Sequence, residues 1–199
     1  MSAADFFDAM YAQADGDETA VPWQQAISRQ LIGDWIAEFD SARHHRALVV
    51  AAGLGDDAAR LASRGLDVMA FDQAPAAVEW ARKRHDGLTI DWQEADLFDP
   101  PSAWVGGFDL VIEVFTIQSI PPDRQAEAVT SIKAFLADGG TLVAVALVHD
   151  GTSEPQGPPW PLHPATFDLL TDGLDEHSHH TEAAGPTVSC HRVELRRAR

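Results

Sequence analysis

Residues 46–75 read RALVVAAGLGDDAARLASRGLDVMAFDQAP, and this stretch decides the fold. Apolar runs over 46–52 and 66–72 predict two buried strands, and the pattern over 56–63 predicts a helix between them. The turn before that helix contains Gly53 and Gly55, which match the glycine pattern of nucleotide-binding loops. A strand, a glycine turn, a helix and a second strand form the opening unit of an α/β fold.

The rest of the chain continues this alternation. Three further strands are predicted, over 88–93, 108–115 and 139–148, with helices over 75–84 and 123–136. After a proline-rich loop and a short helix near 165–170, residues 175–183 and 187–197 predict two strands whose connection is too short for a parallel crossover. We therefore predict an α/β, Rossmann-like, doubly wound and mostly parallel seven-stranded sheet, with an antiparallel C-terminal strand pair and helices on both faces.

Composition narrows the partners and the compartment. The net charge of −17 over 199 residues repels phosphate backbones and anionic lipid, so neither nucleic acid nor a membrane is an expected partner. The single cysteine, Cys190, excludes an intramolecular disulfide. The acidic N-terminus does not resemble a signal peptide, and we predict a cytoplasmic protein. The C-terminal arginines are expected to be solvated surface; they are Arg192, Arg196, Arg197 and Arg199.

The residues at the predicted strand ends indicate the ligand, because ligands of open α/β sheets bind there. Asp72 can accept hydrogen bonds from both ribose hydroxyls, in a dinucleotide and in S-adenosylmethionine alike. Asp56 and Asp57 occupy the first turn of the helix, where they would oppose a pyrophosphate. S-adenosylmethionine carries no phosphate and has two cationic groups. Asp96 could accept the exocyclic amine of adenine, although an Asx-type turn before Pro100 is the alternative.

Four motifs in order carry a family resemblance: LVVAAGLGDDAARLASRGLDVMAFDQAP, ADLFD, FDLVIEVFTIQSIPP and LADGGTLVAVAL. Over residues 46–148 the chain resembles class I S-adenosylmethionine-dependent methyltransferases, and among them the thiopurine-methyltransferase-like branch that acts on small molecules. The resemblance implies S-adenosylmethionine as cofactor. The cofactor-binding residues it implies are Trp23, Ala52, Gly53, Gly55, Asp72, Gln73, Asp96, Leu97, Glu113, Val114 and Phe115.

The chain departs from the family pattern at two positions. Val49 stands where the family usually has an acidic residue, and Ala51 stands where it has its first glycine. An alanine there costs energy if the backbone needs a positive φ. These departures leave two alternatives open. One is an NAD(P)-dependent oxidoreductase built on the same Gly53, Gly55 and Asp72 geometry, and the other is a non-catalytic relative.

The expected organisation is a single methyltransferase domain over 1–199. It would comprise an N-terminal helical cap over 1–45, a cofactor-binding core over 46–150, and a substrate-side loop with the C-terminal strands over 151–199. The expected partner is a small-molecule methyl acceptor, and the expected assembly is a monomer or a homodimer.

In-line methyl transfer depends mainly on alignment, but an amine or phenol acceptor would benefit from a base. The candidate catalytic residues are Glu113 and His149, at the ends of the fourth and fifth strands. Gln118 is expected to orient the acceptor, and Trp160 and His163 to wall its pocket.

The sequence HSHH at 177–180 also suggests a metal site. On a regular strand His177 and His179 would share one face, which is workable for zinc or nickel. This segment is expected at the far edge of the sheet, however, where exposed strand histidines are the better interpretation. No metal is therefore predicted.

Overall fold

The computed structural model describes residues 3–14, 16–21, 28–152 and 157–199. Side chains are described from residue 6 in the first of these ranges and from residue 29 in the third. The strands are β1 (Arg46–Val50), β2 (Asp67–Asp72), β3 (Asp91–Glu94), β4 (Phe108–Val114), β5 (Leu136–His149), β6 (Asp175–Ala183) and β7 (Val188–Arg196). The α-helices are α1 (Ala3–Ala14), α2 (Ser28–Glu38), α3 (Asp56–Ser63), α4 (Pro75–Arg84), α5 (Pro122–Ala134) and α6 (Pro164–Thr171).

All seven strands belong to one sheet, in the order β3-β2-β1-β4-β5-β7-β6. Strands β1 to β5 pair in parallel, whereas β7 pairs antiparallel with both β5 and β6. The prediction of a mostly parallel sheet closed by an antiparallel pair is confirmed. The strand order reverses between β1 and β4, which opens a crevice at their carboxyl ends.

Two hydrophobic cores cover the two faces of the sheet. Because successive side chains of a strand point to opposite faces, Val49 joins the core under α2, α3 and α4, whereas Leu48 and Val50 join the core under α5 and α6. Helices on both faces explain why the central strands are apolar on both sides.

Helix α2 is anchored on the C-terminal strand β7. The indole N–H of Trp35 donates to Glu194 Oε2 at 2.9 Å, and Arg192 Nη1 donates to the carbonyl of Leu31 at 3.2 Å. Arg197 donates at 2.8 Å to the carbonyls of Leu136 and Lys133. The expectation that these C-terminal arginines are only solvated surface is therefore wrong for Arg192 and Arg197, because backbone carbonyls far away in sequence take their hydrogen bonds.

Two strand boundaries differ from the sequence prediction. β3 begins at Asp91 rather than at residue 88, because the Leu88 N–H donates to the carbonyl of His85 in the turn after α4. β5 begins at Leu136 rather than at residue 139. Its pairing with β4 shifts between Leu136 and Thr141, so Gly139 and Gly140 lie inside the strand, at an irregularity.

A second irregularity separates the histidines of β6. The pairing with β7 shifts between Glu176 and Ser178, and this bulge takes up His177. His177 Nε2 lies 3.9 Å from Glu194, whereas His179 Nε2 lies 2.8 Å from His191 Nδ1 on the opposite face. The expectation that His177 and His179 share one face is therefore wrong.

Gly55 shows why the turn before α3 requires glycine. Its φ is +80°, and a Cβ added there would meet the ring of Trp92, with Cζ3 at 2.9 Å, and Cβ of Ala81 at 3.1 Å. Gly65, at the end of the same helix, has a similar φ of +87° but no neighbour within 4 Å of an added Cβ. A comparison of the two glycines therefore separates the cost of backbone strain from the cost of steric crowding.

We expect Gly55→Ala to lower the free energy of unfolding by about 2–5 kcal/mol, because left-handed strain and overpacking against Trp92 add. Gly65→Ala carries only the strain and should cost about 1–2 kcal/mol. Urea denaturation of both variants measures the difference. Equal losses would show that the Trp92 ring moves aside without cost.

Candidate active site

A cavity of about 610 Å³ opens at the carboxyl ends of β1 to β5, where the strand order reverses. This is the size and the position typical of ligand sites in open α/β sheets. Its walls come from the segments that follow β1, β2, β3 and β4, together with Leu147 of β5. Helix α1 and the loop after β5 supply the rest.

The segment after β1 forms the floor of the cavity. Ala51 has a φ of +46° and Gly53 a φ of +52°, so this loop does adopt left-handed backbone at a non-glycine position. The N–H of Gly53 donates to Asp72 Oδ2 at 2.9 Å. Ala52 and Gly53 line the cavity, whereas Gly55 does not and packs behind the loop. The predicted contact between Gly55 and the cofactor therefore does not fit its placement.

Asp72 joins the first two loops. Besides Gly53, its carboxylate accepts the N–H of Ala74 at 3.0 Å through Oδ1. Burial raises the pKa of Asp72, and the N–H donors of Ala74 and Gly53 oppose that rise. Asp72 also lines the cavity, so the residue that holds the two loops together is part of the wall.

The β1–β3 end of the cavity is acidic. Four carboxylates line it: Asp56, Asp57, Asp72 and Asp96. Arg29 of α2 is the only basic residue among the described lining residues, and it pairs with Asp56 at 3.2 Å. Burial raises the pKa of Asp57 to about 6, opposed by Arg60 at 3.4 Å. Arg29 could not be predicted as a site residue from local sequence, because the rest of α2 and all of β1 lie between it and Asp56.

For Asp96, after β3, the sequence left open an Asx-type turn or a place in the ligand site, and the structure shows both the turn and a position in the cavity wall. Asp96 Oδ1 accepts the N–H of Phe98 at 2.9 Å, which is the Asx-type turn, and Asp96 also lines the cavity. Leu97 is buried and lines the cavity beside Asp96. Gln73, which follows β2, also lines the cavity.

Glu113 lies beneath the cavity and not in its wall. The side chain is fully buried, and Oε1 accepts the N–H groups of Thr116 at 2.7 Å and Ile117 at 3.1 Å, while Oε2 has no hydrogen-bond partner among the described residues. Burial raises the pKa of Glu113 to about 7 against these two donors. Its predicted roles as a base and as a cofactor contact do not fit this placement. Val114 and Phe115, the latter at a φ of +62°, do line the cavity above it.

Three other predicted residues are engaged outside the cavity wall. His149 Nδ1 accepts the N–H of Gly151 at 3.1 Å, and His163 Nδ1 accepts that of Ala165 at the start of α6, also at 3.1 Å. Trp160 is not among the lining residues; its backbone N–H donates to the carbonyl of Gln118 at 2.7 Å, and its carbonyl accepts from Gln125 Nε2 at 3.1 Å. The catalytic role of His149 and the substrate roles of Trp160 and His163 therefore do not fit. Position at a strand end does not reveal side-chain direction.

Gln118 does lie in the wall, and its loop neighbours differ from those predicted. Its side chain is only 1% exposed, and Oε1 accepts the N–H of Leu147 at 2.7 Å. Pro158 and Pro159, not Trp160, are the residues of the proline-rich loop that line the cavity.

Helix α1 covers the cavity with four hydrophobic or aromatic side chains. The lining residues from this helix are Phe6, Phe7, Met10 and Tyr11. Asp8 Oδ1 accepts the N–H of Ala76 at 2.8 Å, which ties α1 to the start of α4. The predicted cofactor contact of Trp23 lies outside the described residues.

The described residues contain neither a metal-binding cluster nor a membrane-spanning helix. No group of three or more histidine, cysteine, aspartate or glutamate side chains among them is arranged to hold a metal ion. None of the helices described is both long enough and apolar enough to cross a membrane.

Comparison with known proteins supports the sequence interpretation. Residues 47–140, just under half of the chain, match the family model described as a methyltransferase domain. This stretch runs from β1 into β5 and includes the segments after β1 to β4 that line the cavity. No curated protein sequence matches the chain.

Solved structures share the complete fold. N-methyltransferase NodS from Bradyrhizobium japonicum WM9, in complex with S-adenosyl-L-homocysteine, is 16% identical with a TM-score of 0.79, over 100% of both chains. Magnesium protoporphyrin IX methyltransferase from Synechocystis PCC 6803, with bound S-adenosylmethionine, is 13% identical with a TM-score of 0.74, over 100% of this chain and 98% of that one. The cyclase SpnF is 18% identical with a TM-score of 0.72, over 88% and 82%.

At these identities the structural likeness shows the fold alone, and a fold can host more than one chemistry. The family model adds to this that residues 47–140 match a methyltransferase domain, the class of enzyme that the sequence predicted.

Proposed function

We propose that the chain transfers a methyl group from S-adenosylmethionine to a small-molecule acceptor bound in the 610 Å³ cavity. The charge of the cavity carries this proposal. Four carboxylates and one arginine line the cavity. Arg29 and Arg84 pair with Asp56, and Arg60 pairs with Asp57, whereas Asp72 and Asp96 form no ion pair among the described residues, so the cavity favours a ligand with sulfonium and ammonium groups. The same carboxylates would repel the pyrophosphate of a nicotinamide dinucleotide. This opposes the alternative of an NAD(P)-dependent oxidoreductase, which the valine at position 49 had left open.

The residues present fit the cofactor. Asp72 would accept the ribose hydroxyls, Asp96 and Leu97 would hold the adenine, and the backbone of Ala52 and Gly53 would run beside the methionine part. Gln73 lies beside the ribose position, and Val114 and Phe115 lie where the sulfonium is expected. When bound, S-adenosylmethionine supplies an electrophilic methyl carbon.

The acceptor is proposed to be a small molecule because the cavity is closed on several sides. Helix α1 lies over it, and the loop after β5 closes the β4–β5 end. Two of the structural neighbours are an N-methyltransferase and a magnesium protoporphyrin IX methyltransferase, which is compatible with this class of acceptor. We also propose that the chain falls within the thiopurine-methyltransferase-like branch; the four sequence motifs support that assignment.

Alignment and exclusion of water are the catalytic contributions that this site offers. Glu113 and His149 are engaged elsewhere, and the carboxylates that line the wall stand at the β1–β3 end. Holding the acceptor in line with the methyl carbon supplies much of such a rate without proton transfer. Glu113 is a positioning residue, because it holds the turn that places Phe115 and Gln118 in the wall.

Calorimetric titration with S-adenosylhomocysteine, with NAD in a parallel run, tests the proposal. We expect micromolar binding of the first and none of the second. Binding of NAD alone would overturn the proposal. Binding of neither would show that Val49 and Ala51 have abolished cofactor affinity, as in a non-catalytic relative.

We expect Asp72→Ala to weaken S-adenosylhomocysteine binding by about 1–3 kcal/mol, since hydrogen bonds to a charged group are lost. The same titration measures this change. Asp67→Ala is the matched control, because Asp67 is an exposed carboxylate at the opposite end of the same strand. Unchanged affinity of the Asp72 variant would place the cofactor elsewhere.

Glu113 should make the stability depend on pH. Because its folded pKa is raised from 4.5 to about 7, its contribution is fully present below pH 4.5 and is lost as the pH rises through 7. Glu113→Gln keeps an oxygen for the Thr116 and Ile117 donors but cannot ionise. We expect the variant to match the wild type near pH 5 and to exceed it at pH 8, by on the order of 3 kcal/mol at most.

Urea denaturation of both proteins at the two pH values measures this difference, in which the titration of Asp57 cancels. A difference between the proteins that stays constant with pH would mean that Glu113 titrates normally.

A further inference from the structure

We propose that the methyl acceptor is an uncharged, largely apolar molecule that presents a hydrogen-bond-accepting atom, such as a carbonyl oxygen, to the side-chain amide of Gln118. This inference rests on the proposed function and specifies its acceptor. It comes from one polar side chain, its fixed orientation and the character of the wall around it.

The orientation of the Gln118 amide is determined by its partner. The backbone N–H of Leu147 lies 2.7 Å from Oε1 and can only donate, so oxygen and not nitrogen must face it. The main chain of Gln118 is held as well, since its carbonyl accepts the N–H of Trp160 at 2.7 Å. The amide group is therefore fixed before any ligand arrives.

Nε2 of Gln118 is left as a donor with no partner among the described residues. The residue is 1% exposed and lines the cavity, yet none of the hydrogen bonds of the described chain starts from this nitrogen. Nor is it among the fully enclosed atoms that lack a partner, so it remains open on the cavity side. A nearly buried donor gains a hydrogen bond when a ligand supplies the acceptor.

The wall around this donor is uncharged. The described residues at the β4–β5 end are Gln118, Ser119, Ile120, Leu147, Pro158 and Pro159. The hydroxyl of Ser119 donates to the carbonyl of Thr116 at 2.7 Å, so its donor is already used. Burying an ion against such a wall without a partner is costly.

The charged lining residues all belong to the other end of the cavity. Asp56, Asp57, Asp72 and Asp96 follow β1, β2 and β3, and Arg29 stands among them. The charged and hydroxyl-rich parts of S-adenosylmethionine fit that end. The β4–β5 end is thus left for the acceptor, and Gln118 is the polar group that meets it.

A matched set of bicyclic probes tests this assignment. 1-Indanone and indane differ by one carbonyl oxygen, while 2-aminoindane adds a cation and indane-2-carboxylate an anion. Ligand-observed NMR titrations of the wild type would be run with and without saturating S-adenosylhomocysteine. When S-adenosylhomocysteine is bound and occupies the acidic end, we expect 1-indanone to bind about 5- to 10-fold more tightly than indane, and both charged probes to bind more weakly than indane. The titration without it shows which probes also bind at the acidic end. Tightest binding of a charged probe, or no preference for the ketone, would overturn the proposal.

Gln118→Met is the decisive variant. It keeps the length of the side chain and removes the free donor without adding a group that could ionise or, when protonated, donate to the ketone. We expect the preference for 1-indanone to disappear while the affinity for indane changes less than 2-fold, which also shows that the cavity is intact. A ketone preference that survives in the variant would contradict the role of Gln118.

The nucleotide titration tests the proposed function and the probe comparison tests the acceptor assignment, so failure of one proposal can be told from failure of the other. If S-adenosylhomocysteine does not bind, the proposed function fails, whatever the probes show. If it binds and the wild-type probe order is not the expected one, only the acceptor assignment fails. Should the variant not fold, the wild-type series alone still decides.

Discussion

The buried carboxylate of Asp72 is the interaction on which the cavity depends. It accepts the N–H of Gly53 from the loop after β1 and the N–H of Ala74 from its own loop. Without it, two neighbouring loops with left-handed or extended backbone would each have a buried donor to satisfy. One side chain thereby fixes the relative position of the β1 and β2 ends, and the rest of the wall is built outward from that point.

The cavity has two ends of different character, and the fold explains why. The segments after β1, β2 and β3 carry the carboxylates, whereas those after β4 and β5 carry Gln118 and apolar side chains. Because the strand order reverses between β1 and β4, the two ends are supplied by different halves of the chain. A charged cofactor and an uncharged acceptor can thus lie side by side in one cavity, each against a wall suited to it.

The sequence predicted the sheet well because the evidence for it is local. The apolar strands, the helix over Asp56–Ser63 and the short connection between β6 and β7 each follow from neighbouring residues. The site was harder to predict. Asp72, Asp96 and Gln118 line the cavity as expected, but Glu113, His149, Trp160 and His163 face other partners. Arg29 reaches the site only through tertiary packing.

The hydrogen bond between Trp35 and Glu194 joins residues 159 positions apart, and β7 inserts between β5 and β6. During synthesis, therefore, the second helix emerges long before its anchor exists. Until β7 has been synthesised, β5 has a long unpaired edge and α2 lacks its hydrogen bonds to the sheet. A nascent chain stalled before β7 would therefore expose the backbone donors and acceptors of β5 to pairing with other chains.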